Sequence, residues 1–271
     1  MDAHSSTDDI EQELRESIAA ATDISVLNPS LPVIHTLIDV LNSFDEPPDS
    51  RVLAAESALK SVRDHTGRAA RAADLVDNDS LQLRSLGSPR VGLPPLVIAD
   101  EHVHSLVVLD SVITTISETN TATAASVQND LDELWQSADS FDLRTPGWFH
   151  LLATLEDRFS SAVATDFERV LSATDDANVD SSEVDEVAIA IFAAAANEVL
   201  LYDIGRWGED TGFASKATFS RTKGQMEDAN LIKTEKVPID VGRPRLRLQI
   251  ADDRLENADA DEVIRILESL T

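Results

Sequence analysis

The chain is expected to be α/β in its N-terminal part and α+β in its C-terminal part, and three observations predict this. Between residues 10 and 110 short apolar runs alternate with helical periods, the pattern of a sheet built through crossover connections. From 118 to 174 there is no strand signal and apolar residues recur every three or four positions. From 213 to 249 a helical stretch, a turn and two strand-like segments follow one another and the charge reverses. That segment holds 8 of the 22 Lys and Arg but only 4 of the 50 acids, so it is net positive inside a chain of net charge −28.

In chain order, a first helix carries Ile10, Leu14 and Ile18, and residues 24–27 form a strand. The turn Asn28-Pro29-Ser30 leads into an amphipathic helix through Val33, Leu37, Ile38 and Leu41. A strand at 52–54 precedes a helix for which Ser57 is the expected N-cap. Strands follow at 81–86, 96–99 and 103–109, the last two joined by a turn at Asp100-Glu101. Residues 1–117 therefore read as an α/β sensor-like domain with a small, mainly parallel sheet and a terminal hairpin.

Residues 118–178 read as a helical connector. Thr145 is placed to cap a helix with Pro146 at its first position, and Trp148, Leu152, Leu155, Phe159, Val163, Phe167 and Val170 continue the period. One helix of about 25 residues would be about 38 Å long, and would serve as a rigid connector, a dimerisation helix or a helix packed on its own sheet. The polar, acidic run at 172–182 marks the expected domain boundary.

Residues 179–271 carry the order of a winged helix-turn-helix. A first helix at 183–196 turns Val187, Ile191 and Ala195 inward. A second, from 200 to about 209, has Leu200, Ile204 and Trp207 on one face, and Gly212 closes it. Ser215 caps a third helix whose Phe219, Thr222 and Met226 share a face, and Leu231 with Ile232 opens the next strand. The wing pairs 231–239 with 244–250, with Gly242 at its tip. Core demand removes Phe219, Thr222 and Met226 from recognition. It leaves Ser215, Lys216, Thr218, Arg221 and Gln225 on the helix that such folds place in the major groove. Arg221 suits guanine and Gln225 adenine. Lys223, Lys236, Arg243 and Arg245 add positive charge for phosphates or the minor groove. The expected partner is double-stranded DNA at a promoter or operator. The alternatives are a winged helix used for protein contact and a metabolite sensor that binds no DNA. Two half-sites favour a homodimer. The long helix, or a final helix at 259–270 with Val263, Ile266, Leu267 and Leu270 on one side, would form its interface.

Composition narrows the setting. Acids are spread along the whole sequence, Asp outnumbers Glu 31 to 19, and only 5 cations are Lys against 17 Arg. That is the surface of a protein working in molar salt, where a Debye length of roughly 3 Å or less cancels the self-repulsion. The absence of Cys excludes disulfides and thiolate metal sites. Without a basic and apolar leader or an apolar run of ~20 residues, the chain is expected to be soluble and cytoplasmic, with no membrane contact.

The motifs LLYDIGRWGED (200–210), SKATFSRTKGQMEDANLI (215–232) and TEKVPIDVGRPRLRL (234–248) resemble the haloarchaeal TbsP family of transcription regulators, named for suppressing loss of the sugar-responsive regulator TrmB. The N-terminal half is similar, more weakly, to the phospholipase-D-like sensor domain of that family and of TrmB-type regulators. The resemblance covers nearly the whole chain and implies a regulator of sugar or gluconeogenic genes with a sensor domain.

No catalytic set is expected. Phospholipase-D enzymes use His-x-Lys-x4-Asp, whereas here His102-Val103-His104 puts His in the lysine position and Asp110 falls one residue too far. The two imidazoles beside Asp100 could share a strand face as zinc ligands, but polar residues at a hairpin turn are the simpler reading, and neither a metal nor a cofactor is expected. There is no nucleophile elbow, Walker loop or dinucleotide fingerprint. A small anionic metabolite would bind beyond the strand ends at Asn28, Ser30, Glu56 and Ser57, where helix N-termini favour negative charge.

Overall fold

The computed structural model describes residues 14, 15, 18, 21–87, 93–100, 102–109, 112–118, 121–176, 184–238, 244–256 and 258–270. The chain forms two compact units, Met1–Arg144 and Thr145–Thr271.

The first unit is a sheet covered by helices on both faces. Its elements are β1 (Asp23–Leu27), α1 (Leu31–Asn42), β2 (Asp49–Ala54), α2 (Glu56–Val62), α3 (Thr66–Asp77), β3 (Leu81–Ser85), β4 (Leu96–Ala99), β5 (His102–Leu109), β6 (Val112–Glu118), α4 (Thr121–Ser137) and β7 (Asp139–Ser140). The strand order is β6-β5-β4-β1-β2-β3-β7. The α/β class is as expected, and the parallel core consists of β1, β2 and β3. Antiparallel strands extend it on both sides, so the sheet is larger and more mixed than the sequence pattern implied.

Strand alternation divides the core. Ile24, Val26, Val52, Leu81, Leu83 and Val97 pack with Ile34, Leu37, Ile38 and Leu41 of α1 and with the alanines of α3. On the other face Leu27, Leu53, Ile98 and Val103 meet Ala124, Leu131 and Trp135 of α4. Arg51 and Arg84 place their guanidinium carbons 5.6 and 4.9 Å from the Trp135 ring centroid, and Arg51 also pairs with Asp132 at 3.0 Å. This clamp locks α4 to the sheet. Residues 118–144 thus belong to the first unit rather than to a connector.

Half-buried His35 on α1 meets His65 edge-on at 4.6 Å between ring centroids, and its Nε2 is buried without a hydrogen-bond partner among the described residues. Burial first, then the charges of Arg68 and His65, lowers the His35 pKa from 6.5 to about 3. Between those values the unfolded chain binds a proton that the folded chain refuses, so stability falls as pH drops below 6.5, by at most about 1.4 kcal/mol per pH unit. Going from pH 7 to pH 5 is expected to lower the guanidinium midpoint of this unit more in the natural protein than in His35→Leu.

The second unit comprises α5 (Trp148–Arg158), α6 (Ser161–Asp176), α7 (Glu186–Ala196), α8 (Leu201–Thr211), α9 (Lys216–Asp228), β8 (Ile232–Val237), β9 (Arg245–Ile250), a 3-10 turn (Asp253–Leu255) and α10 (Ala260–Glu268). The single long helix expected from residue 145 is two helices. Phe159 leaves helical geometry at φ −124°, ψ −79°, and the Ser160 hydroxyl accepts from Val163 N–H at 3.4 Å to start the next helix. Gly147, not Thr145, is the N-cap of α5. Of the expected stripe, Trp148, Leu155, Val163, Phe167 and Val170 are buried and Leu152 and Phe159 are half-buried, so it packs chiefly into the core of its own unit. In the final helical segment, where α10 packs on α6, Val263 and Leu267 are buried whereas Ile266 and Leu270 are half-buried. The boundary between units falls at 144/145 rather than in the acidic run, most of which lies outside the described residues.

Candidate nucleic-acid interface

Helix α7 is buried on nearly all sides, from Val187 to Ala195, and forms the spine against which the other elements pack. After it Leu200 bridges antiparallel to Arg247, and Leu248 N–H donates to Val199 O at 3.0 Å. A short third strand segment therefore joins the β8–β9 hairpin immediately before α8. With α7, α8 and α9 this completes a winged helix-turn-helix.

The turn between α8 and α9 depends on two glycines. Gly212 ends α8 at φ +78°, a left-handed conformation that costs a side-chain-bearing residue roughly 1–2 kcal/mol. Gly208 faces Phe219 so closely that a Cβ there would lie 2.3 Å from Phe219 Cε2 and 3.0 Å from the Ala214 carbonyl oxygen. Phe219 is thereby held in an aromatic cluster with Phe213, at 6.4 Å, itself 5.1 Å from Trp207. Trp207 is fully buried, and its indole N–H donates to Thr154 Oγ1 at 3.0 Å. Arg158 of α5 hydrogen-bonds Asp210 at 2.8 Å and keeps that carboxyl below the ordinary carboxylate range.

Ser215 is the N-cap of α9, as expected. Its Oγ accepts from Thr218 N–H at 3.1 Å. Phe219, Thr222 and Met226 are buried, and the Thr222 hydroxyl donates to Asp185 at 2.8 Å. Asp185 also accepts from Val187 N–H at 2.9 Å as the cap of α7, so one carboxylate fixes the start of α7 to the middle of α9. Thr222→Val removes one donor to that charged group and is expected to lower stability by about 1–2 kcal/mol, measurable as a lower guanidinium midpoint. Sequence reasoning did not single out Asp185, whose polar side chain just before an apolar run was its one visible signal.

Opposite this seat, α9 exposes Lys216, Ala217, Ser220, Arg221, Gln225 and Asp228. Ala217, Arg221, Gln225 and Asp228 follow one line along the helix. The 13-residue helix is about 20 Å long and about 10–12 Å across with side chains, and the major groove is ~12 Å wide. The side chains of Arg221 and Gln225 make no hydrogen bond or ion pair among the described residues, so their ends are open to a ligand. Ser220 was overlooked in the sequence although it lies four residues after Lys216 on the same side.

The remaining cations differ. Lys216 is ion-paired with Glu209. Lys223 has a side chain only 15% exposed and pairs with Glu227 at 2.7 Å, while Glu227 also accepts from Thr234 Oγ1 at 2.7 Å. Burial works against the Glu227 charge, but the hydrogen bonds from Lys223 and Thr234 outweigh it and hold its carboxyl below the ordinary value. Glu227 therefore joins α9 to β8, and Lys223 is held along its own helix by that carboxylate instead of projecting. Arg245 pairs with Asp203 at 3.2 Å and lies over the Tyr202 ring at 4.2 Å. Lys236 is exposed on β8. Arg243 and the wing tip at 239–243 lie outside the described residues.

In the first unit, Asn28 and Ser30 follow β1, and Glu56 and Ser57 follow β2. Because those strands pair in parallel, all four residues come together at one end of the sheet. Asn28 Nδ2 donates to Leu93 O at 2.6 Å and Glu56 pairs with Lys60 at 2.7 Å. Helix α2 begins at Glu56 with Ala55 at the N-cap, so Ser57 is not the cap. Asp100 accepts from Thr22 N–H at 3.2 Å, which leads the effects lowering its pKa. His104 Nδ1 lies 2.9 Å from Ser117 Oγ. No group of three metal-ligating side chains occurs among the described residues, and Asp110 lies outside them. No described helix is long and apolar enough to cross a membrane.

Two family models match the chain. The N-terminal domain of TbsP-like transcriptional regulators covers residues 2–146, and their C-terminal helix-turn-helix domain covers 148–268. None of the curated proteins matches. Among solved structures, that of TrmBL2, described as an archaeal chromatin protein with a novel mode of DNA binding, aligns at 17% identity and a TM-score of 0.39. The alignment covers 50% of this chain and 52% of that one, so the chain spans about half the length of this relative.

Proposed function

The chain belongs to the family of TbsP-like transcriptional regulators, and from that premise we propose that it binds duplex DNA through α9 and the wing and selects promoters by base contacts from Arg221 and Gln225. One observation carries this reading. Helix α9 has a seated side, fixed by Phe219, Thr222 and Met226, and an opposite exposed line in which Arg221 and Gln225 engage no other described group. Side chains held by an internal partner would first have to be released, whereas these two meet base edges at no such cost.

Lys236 and Arg243 contact phosphates, and Lys223 supports the helix from within. The protein acts as a homodimer on two half-sites and works in the cytoplasm of a halophile. Its targets are sugar or gluconeogenic genes, it performs no catalysis, and an anionic metabolite at the Asn28, Ser30, Glu56 and Ser57 end of the sheet tunes it. The test is recovery of genomic fragments by the purified full chain in molar KCl. Discrete promoter fragments are expected. Equal recovery of all fragments by the folded protein would refute sequence-specific regulation.

A further inference from the structure

The second unit carries an open cleft of about 480 Å³ between α8, the N-terminal half of α9 and the start of β9. Phe219 and Gly205 contribute to its lining, with Tyr202, Ser220, Lys216 and Arg245. Tyr202 is 45% exposed, unusual for so large an apolar ring. Both cations are occupied by acids of α8: Lys216 by Glu209, and Arg245 by Asp203 at 3.2 Å. These pairs are between 36% and 52% exposed. Ion pairs so accessible to water add little to folding and exchange readily for a better anion.

The cleft borders the exposed line of α9 on one side and the base of the wing on the other, the two elements that receive the duplex under the reading above. Two cations and two hydroxyls around an open rim match a backbone phosphate, the group to which most protein–DNA hydrogen bonds go. We propose that this cleft seats a phosphodiester of the DNA backbone between Lys216, Arg245 and the hydroxyls of Tyr202 and Ser220, and that Glu209 and Asp203 are built-in competitors that hold the two cations until the phosphate displaces them. The proposal rests on the DNA-binding reading and adds a contact region and a control on its strength. With its acids in place the cleft is neutral overall. A phosphate entering it therefore releases few counterions, and this contact survives concentrated salt that would abolish one made by a bare cation.

The test is binding of the full chain to a mixed-sequence duplex over a KCl series, for wild type, Glu209→Gln, Asp203→Asn and Lys216→Ala. Each acid variant is expected to bind up to about fivefold tighter, because an exposed ion pair no longer has to be broken. Each should also steepen the slope of log K against log [KCl] by about one, the increment for one more phosphate neutralised by an unpaired cation. Lys216→Ala should weaken binding. If both acid variants bind more weakly, or leave affinity and slope unchanged, the pairs are staples of the fold and the proposal is overturned. Glu209 lies in the last turn of α8, where the helix dipole disfavours a negative charge, so Glu209→Gln remains informative should Asp203→Asn not fold. If folded wild type binds no duplex at any KCl concentration, the DNA reading itself fails. Wild-type binding with unresponsive acid variants removes the cleft alone.

Discussion

Arg221→Ala is expected to lower affinity for a selected promoter fragment by roughly 10- to 100-fold, the worth of one well-formed bidentate base contact. Binding to unrelated duplex should change far less. The asymmetry follows from where Arg221 lies. It projects from the exposed line of α9, opposite Phe219 and Thr222, and no described acid holds it. Its loss therefore removes a contact to the ligand and leaves the fold intact. Lys236→Ala should behave in the opposite manner, weakening specific and unrelated fragments alike and reducing the salt slope by about one, as loss of a phosphate contact does. Competition binding with the selected fragment and an unrelated one at matched KCl separates the two patterns.

Gly208→Ala is expected to lower the stability of the second unit by about 1–3 kcal/mol, the usual cost of forcing extra volume into a packed core. One added methyl has this effect because both of its neighbours are fixed. Phe219 is buried in the cluster with Phe213, and the other close atom is the Ala214 backbone oxygen in the turn. Relief requires α9 to shift, so duplex binding should weaken along with stability. Gly205→Ala, one turn earlier on the same helix, is the matched control. Its Cβ would meet Lys216 Cγ at 3.6 Å and Phe219 Cβ at 3.7 Å, ordinary contact distances. Relief of the helical glycine penalty should make that variant neutral or more stable by about 0.5–1 kcal/mol. Guanidinium unfolding of the two variants side by side decides the point.

The third helix of the winged motif was legible from residue types alone. Ser215 reads as an N-cap, Gly212 as a left-handed stop, and Phe219, Thr222 and Met226 fall on one helical face, because local propensity and core demand agree there. The break at Phe159 and Ser160 was hidden, since both α5 and α6 bury apolar residues and the period runs through the interruption. Strand β6 was missed because VITTISE does not alternate strictly, although its β-branched content was a usable signal. The unit boundary lies in the short stretch 141–147, where Pro146-Gly147 was a usable turn signal but was read as a helix start, while the longer acidic run at 172–182 drew attention instead. The pairing of the cations was beyond reach. Arg245 finds Asp203 from 42 residues away, and Lys216 finds Glu209 across the turn between helices. Only the tertiary fold distinguishes an available cation such as Arg221 from an occupied one such as Lys223.

Selection of preferred sites from a random duplex library by the full chain and by Arg221→Ala tests the central claim most directly. The natural protein is expected to yield a defined site. Arg221→Ala should yield the same site with preference lost at one or two adjacent base pairs, which identifies α9 as the element reading the groove. An identical preference in both proteins, or none in the natural one, would contradict it.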